Sequence, residues 1–294
     1  MGERFIGFWY NSNKKGFLMN KEYFNFIKRF KLLIKKQPNL IVITLSNIFT
    51  MRLIGNKTHG DLAEIAISEF INQYMYDFKS IHVGKDLYRA KSKEEDITII
   101  NEIDKTKFPV SLKAYGNGPL QLSTDKDFLM FPFLETYGDV IDKKEDIQEI
   151  FSSEAFNHFS DINVLPLIYD EKKQECNIMV FDIKKAKNEV NLIKKEKAGN
   201  GRKHPVYKFF DKDNNYICEV RYGGANANAL QRGLWTNTKL ANDFFISVTD
   251  GWIKYSHNKT LVKLFSNALI SRENGHKEAI KIIEKDIQKL REGK

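Results

Sequence analysis

Asp96-Ile97-Thr98-Ile99-Ile100, followed by Phe108-Pro109-Val110-Ser111-Leu112-Lys113-Ala114-Tyr115, is the part of the sequence that decides the fold. Both runs are rich in β-branched and aromatic residues, which is typical of strands. The segment 104–107 between them, Asp-Lys-Thr-Lys, has the composition of a turn. We therefore predict a β-hairpin here, with a carboxylate at the start of its first strand.

Strand alternation sorts the residues of the second run onto two faces. Ser111 and Lys113 share one face, whereas the apolar Val110 and Leu112 share the other. A lysine among apolar strands is costly to bury unless it has a partner. Asp96, on the adjoining strand, is the expected one. The simplest interpretation of this pair is a structural salt bridge.

The same pair is also what phosphodiester hydrolysis requires. Asp96 would bind Mg²⁺ directly, because hard cations prefer oxygen ligands, and the backbone carbonyl of Leu112 could add another. Lys113 would orient the attacking water, whose pKa the metal lowers. Glu64, on a preceding helix, could reach the same site directly or through a water.

The composition favours a polyanionic partner. Lysine and arginine number 47 against 38 acidic residues, which gives a net charge of +9. Such a balance suits nucleic acid or an acidic membrane surface, although a general enrichment in lysine would also produce it. With 42% hydrophobic and 13% aromatic residues, the chain can build a sizeable core.

Several classes of protein are not expected. Cys176 and Cys218 are far apart and have no Cys/His spacing, which argues against a disulfide scaffold or a structural zinc site. The N-terminus shows no signal segment, and no apolar run is long enough to span a bilayer. We expect a soluble cytoplasmic protein that does not enter a membrane.

Helical patterns dominate the first part of the chain. Residues 20–36 are amphipathic, and 40–45 is either a short buried strand or the start of another helix. A helix from about 62 to 78 is apolar on nearly every side and should be buried. Its polar stripe consists of Asp61, Glu64 and Ser68.

Strand patterns dominate the rest. Runs at 164–169 and 176–182, a hairpin at 206–210 and 216–222, and shorter runs at 244–249 and 252–255 give a mixed α/β class. The Gly- and Asn-containing segment at 199–203 is the best candidate for a boundary. We predict a core at 1–198 and a second region at 199–294 packed on it, unless the two form one continuous domain.

The segment 221–238 mixes Gly, Asn, Gln and Arg with few acidic residues. Asn and Gln can read adenine and Arg can read guanine, so this segment is a candidate for base contacts; a polar loop with a helical turn at 226–232 is the alternative. Basic residues just upstream suit phosphate contacts. The candidate DNA-binding residues are Arg221, Asn226, Asn228, Gln231, Arg232, Arg202 and Lys203.

Residues 58–118 resemble the catalytic core of the PD-(D/E)xK nucleases, and most closely that of type II restriction endonucleases. The resemblance rests on Gly60-Asp-Leu-Ala-Glu64 on the helix, Glu95-Asp96, and Ser111-Leu112-Lys113 on the next strand. Glu95 replaces the proline that usually precedes the aspartate. Ser111 stands where the family usually has a carboxylate, and a hydroxyl is a poor Mg²⁺ ligand.

The resemblance implies a restriction-endonuclease-like fold, in which a mixed central β-sheet is flanked by helices and a β-rich region recognises DNA. It implies Mg²⁺-dependent cleavage of double-stranded DNA at a short specific sequence. Asp96 and Glu64 would be the metal ligands, and Ser111 and Lys113 would complete the catalytic set. The alternatives are a non-catalytic DNA-binding protein on the same scaffold and a structure-specific repair nuclease.

Two expectations about partners follow. A gene for the cognate DNA methyltransferase is the expected genetic neighbour of a restriction enzyme. A palindromic target would favour a two-fold homodimer.

Overall fold

The computed structural model describes residues 21–54, 59–82, 96–116, 118–156, 163–199, 203–224 and 231–263, with 281, 284–286, 288–289 and 292. The helices are α1 (21–36), α2 (Pro38–Ile54), α3 (His59–Tyr74), α4 (Met130–Glu135), α5 (Lys144–Ser152) and α6 (Ile183–Glu189). Pro38 begins α2 instead of only ending α1, because proline fits the first turn of a helix, where its missing N–H is not needed.

The strands of the described residues form two sheets. In chain order they are β1 (Phe78–His82), β2 (Ile97–Asn101), β3 (Lys107–Gly116), β4 (Pro119–Ser123), β5 (Val140–Ile141), β6 (Val164–Asp170), β7 (Glu175–Phe181), β8 (Leu192–Glu196), β9 (Val206–Phe210), β10 (Tyr216–Arg221), β11 (Gly233–Asn237), β12 (Phe245–Ser247) and β13 (Ile253–Lys254).

The first sheet has the order β1-β2-β3-β6-β7-β12, and β13 also pairs with β7. Its strands pair antiparallel except for β3 and β6, which are parallel, so the sheet is mixed. The second sheet has the order β4-β11-β10-β9-β8-β5 and is antiparallel throughout. Strands from before and after residue 199 contribute to both sheets.

One hydrophobic cluster lies between the first sheet and α1–α3. Phe26 of α1 packs against Phe78 of β1 and Phe108 of β3, and the side chains of Val110 and Leu112 face the same cluster. A second cluster joins the second sheet to α4–α6 and includes Val164, the first residue of β6. The protein is therefore a mixed α/β structure, in which a mixed central sheet is flanked by helices.

Most of the predicted elements are confirmed: the helix at 20–36, the central hairpin, the two strands around residue 170 and the hairpin at 206–222. The run at 40–45 lies in α2. The helix predicted to reach residue 78 ends at Tyr74, because Phe78 and Ser80 are buried in β1. The predicted loop at 221–238 is wrong at its end, where β11 pairs with β10 and β4.

Among the described residues, no helix combines the length and the apolar character that crossing a lipid bilayer requires.

Candidate functional site

The hairpin places Asp96 directly beside Ser111. Ile97 pairs with Val110, so the residue that precedes β2 lies next to the middle of β3. The Ser111 hydroxyl donates a hydrogen bond to Asp96 Oδ2 at 2.9 Å, and the backbone N–H of Leu112 donates to the same oxygen at 2.7 Å. These two donors fix the position of the carboxylate against the sheet.

One oxygen atom beside Ser111, Asp96 Oδ1, keeps the capacity to bind something further, whereas the side-chain oxygen of Asn163 is buried. Asp96 Oδ1 accepts no hydrogen bond from any residue that the structure describes. Asn163 is buried at the start of β6, where its carbonyl accepts from Ser111 N at 2.9 Å and its amide donates to Pro109 O. Its side-chain Oδ1 is buried without a partner.

Lys113 is two residues beyond Ser111 on β3, so the side chains of both residues lie on the same face, away from α1–α3. Its neighbour on β6 is the buried Pro166, and Lys113 is itself partly buried. The expected ion pair with Asp96 is not formed, and Lys113 has no ion-pair partner in the part of the chain that the structure describes. A structural salt bridge therefore does not explain why these two residues are neighbours.

Glu64 lies on the opposite side of the sheet, because α3 packs on the face that carries Val110 and Leu112. Its carboxylate contacts the ring of His82, with Oε2 3.4 Å from Nε2. His82 pairs with Ile97, so this contact and Asp96 are at the same end of the sheet. Asp96 and Ser111 thus contact each other directly. Glu64 contacts His82 on the other face of the sheet.

The oxygen atoms around Ser111 fit one kind of metal site. Within the described residues, no three or more His, Cys, Asp and Glu side chains are grouped as in a protein-built metal cage. Mg²⁺ often binds through only one or two carboxylates and completes its coordination with waters and substrate phosphates. The carboxylate of Asp96, with one oxygen that accepts no hydrogen bond from the described residues, matches that open type of site.

Arg221, predicted to contact DNA, is engaged within the protein. Its Nε lies 2.6 Å from the carboxylate of Glu219, which is buried, and its guanidinium carbon lies 4.1 Å from the centre of the Trp235 ring. Burial of Glu219 makes its pairing with a cation necessary. Arg221 therefore compensates a buried charge and supports the Trp235 ring.

The other predicted DNA-binding residues divide into two groups. Gln231 and Lys203 are exposed, and Arg232 is partly buried just before β11. Asn226, Asn228 and Arg202 lie outside the described residues.

Sequence reasoning missed Asn163, His82 and Trp235 as members of these sites. Asn163 reaches Ser111 only because β6 pairs in parallel with β3, and nothing local in the sequence reports that pairing. Trp235 contacts Arg221 only because β11 pairs with β10, which is again a pairing of distant segments.

Comparison of the chain with protein-family models, with curated proteins and with solved structures gave no match. The chemistry of the site therefore rests on its own geometry: an oriented carboxylate and, on the adjoining strand, a lysine that has no ion-pair partner among the described residues.

Proposed function

We propose that this chain is a Mg²⁺-dependent endonuclease that cleaves double-stranded DNA at a short specific sequence, as type II restriction enzymes do. The observation that carries the proposal is the contact of Asp96 with Ser111 and with the N–H of Leu112, next to a Lys113 that no carboxylate of the described residues neutralises. A salt bridge would have used both charges for stability. Here each charge keeps its capacity for a ligand.

Each residue has a distinct task in this proposal. Asp96 would hold Mg²⁺, and Lys113 would orient the attacking water and offset charge on the phosphate. Ser111 is a positioning residue, because its hydroxyl donates to the Asp96 carboxylate. Bound Mg²⁺ would lower the pKa of its water and stabilise the leaving oxygen. Glu64 was predicted as a second metal ligand, but it lies on the other face of the sheet beside His82, so the proposal gives it no contact with this Mg²⁺.

The charge of the chain supports a DNA substrate. A net charge of +9 attracts the phosphate backbone over long distances, before any specific contact forms.

One observation favours a second candidate function, a non-catalytic DNA-binding protein on the same scaffold. The residue at 111 is a hydroxyl that donates to Asp96, so it supplies no additional negative charge for a metal. The described residues also contain no group of three metal-binding side chains. A site with a single carboxylate binds Mg²⁺ weakly, and DNA binding could then be the whole activity.

Incubation of supercoiled plasmid and linear phage DNA with the purified protein, with Mg²⁺ or with EDTA, separates these functions. We expect discrete fragments that require Mg²⁺. Lys113→Ala should reduce the rate by roughly 100-fold or more, the effect typical of removing a preorganised charge from a catalytic site. The matched control is Lys107→Ala, which removes the same charge from an exposed position on the same strand and should cleave normally.

Each alternative result has a clear meaning. DNA binding without cleavage in any divalent metal would refute the nuclease and support the second candidate. Cleavage only at branched or damaged DNA would indicate a structure-specific nuclease. Equal loss of activity in Lys107→Ala and Lys113→Ala would show that charge in general, and not the site beside Asp96, is responsible.

A further inference from the structure

Both neighbours of β3 begin beside its middle. Ile97, the first residue of β2, pairs with Val110, and Val164, the first residue of β6, pairs with Ser111. Because β2 is antiparallel to β3 and β6 is parallel to it, the two neighbours extend along opposite halves of the strand. In the part of the chain that the structure describes, β2 therefore leaves β3 uncovered after residue 110, and β6 leaves it uncovered before residue 111.

On the β2 edge, the carboxylate of Asp96 takes the place of the missing strand. Successive peptide groups of a strand point to opposite edges, and the N–H of Leu112 points to the edge that β2 covers further along. A backbone carbonyl would accept from this N–H in a regular ladder. Here Asp96 Oδ2 accepts from it at 2.7 Å.

On the β6 edge, the side chain of Asn163 has the same role. In a regular parallel ladder, one residue bonds through its N–H and its C=O to two residues of the neighbouring strand that are two positions apart. Asn163 accepts from Ser111 N through its backbone carbonyl at 2.9 Å, but it donates to Pro109 O through its side-chain Nδ2, at 3.1 Å. Pro109 has no N–H, so its nitrogen needs no acceptor on this edge.

Stability alone does not explain an amide at position 163. Asn163 is buried, and its Oδ1 is buried without a hydrogen-bond partner. A buried polar atom without a partner is unfavourable, so an apolar side chain of the same shape would avoid that cost. What the amide provides, and an apolar side chain cannot, is the bond that fixes Pro109 beside the start of β6.

We infer that Asn163 is a positioning residue of the Asp96 site. It holds residues 109–111 of β3 against β6, and the two donors that orient the carboxylate, Ser111 Oγ and Leu112 N, belong to this part of the strand and the residue after it. Asn163 thereby sets the direction in which Asp96 Oδ1 points. That this direction matters for cleavage rests on the proposed function.

Asn163→Leu tests the inference, because leucine keeps the shape of the side chain and removes the donor together with the unpartnered Oδ1. The loss of one bond and of one unsatisfied atom offset each other, so the urea midpoint should stay close to that of the wild type. The N–H of Leu112 reports on the site without DNA or metal. In protein labelled with ¹⁵N-leucine, its hydrogen exchange should become roughly fivefold faster, the effect of losing one hydrogen bond nearby.

The plasmid assay gives the second measurement. Asn163→Leu should lower kcat by roughly tenfold and leave KM for DNA unchanged, because a misplaced catalytic group slows the reaction without weakening the contacts that bind DNA. The matched control is Thr236→Val in the second sheet. It also replaces a buried polar side chain by an apolar one of the same shape and removes one bond to a backbone carbonyl, that of Ile217. Both the Leu112 exchange rate and kcat should be unchanged in this control.

The outcomes separate the role of Asn163 from the nuclease. A wild-type exchange rate at Leu112 in Asn163→Leu overturns the inference, whatever the protein does to DNA. Equal effects in Asn163→Leu and Thr236→Val would overturn it too, because general destabilisation would then explain both. A wild-type protein that never cleaves DNA refutes the proposed function, yet faster exchange at Leu112 in Asn163→Leu alone still supports the positioning role. Asn163→Ala, which is too small to clash, gives the same test if the leucine variant does not fold.

Discussion

Replacement of Asp96 separates its structural role from its chemical one. Asp96 Oδ2 accepts hydrogen bonds from Ser111 Oγ and Leu112 N, and both donors belong to buried residues. In Asp96→Ala both donors lose their partner, which costs about 1–3 kcal/mol for each buried group that stays unsatisfied. We therefore expect Asp96→Ala to lower the free energy of unfolding by roughly 3 kcal/mol, somewhat less where water replaces the carboxylate.

Asp96→Asn should behave differently, because the amide oxygen can accept from the same two donors. The bonds change from charged to neutral, a loss of about 1 kcal/mol for each bond, so the variant should be roughly 2 kcal/mol less stable than the wild type. Both variants should lose cleavage, because neither keeps the negative charge that a Mg²⁺ ligand supplies.

Urea unfolding followed by circular dichroism gives the two stabilities, and the plasmid assay gives the activities. The reasoning predicts a clear order: wild type, then Asp96→Asn, then Asp96→Ala. Equal stability in all three proteins would refute the structural role of the contact. An Asp96→Asn variant that cleaves at the wild-type rate would refute the assignment of Asp96 as a metal ligand.

Three further predictions concern the scaffold. The hydroxyl of Tyr23 donates to Val164 O at 2.8 Å inside the core, so Tyr23→Phe should lower the free energy of unfolding by about 1–2 kcal/mol in a urea titration. Burial raises the pKa of Cys176 to about 12 and raises that of Cys218 well above its usual value. Both thiols therefore stay protonated at neutral pH and should react with a thiol reagent only after unfolding; rapid labelling of the native protein would contradict this. Gly233→Ala should destabilise the protein by more than about 1 kcal/mol, because φ is 105° and the new Cβ would collide with the backbone of Ser123 and Asp125 at the end of β4; a wild-type melting temperature would refute this.

The central hairpin could be predicted from the sequence because it depends on residues that are close together in the chain. Alternating β-branched residues and a polar turn specify two adjacent strands, and the pleat then puts Ser111 and Lys113 on one face. The same pattern predicted a pair of Asp96 with Lys113, whereas the structure joins Asp96 to Ser111 and to the N–H of Leu112.

Predictions failed where long-range pairing decides the structure. The segment at 233–237 is short and contains glycine and polar residues, so it resembles a loop. It is a strand because Leu234 and Thr236 are buried between β10 and β4. The run at 40–45 was ambiguous for a related reason, since a short apolar run fits a buried strand and a buried helix equally well.

The sequence by itself determined the mixed α/β class and the central hairpin, because each depends on periodicity and turn composition over a few residues. Only the tertiary structure decided which charges are neutralised inside the protein. Arg221 is paired with Glu219, whereas Lys113 and Arg232 have no such partner among the described residues. Neutralisation depends on distances between side chains that the pairing of strands brings together, and no local pattern in the sequence encodes those distances.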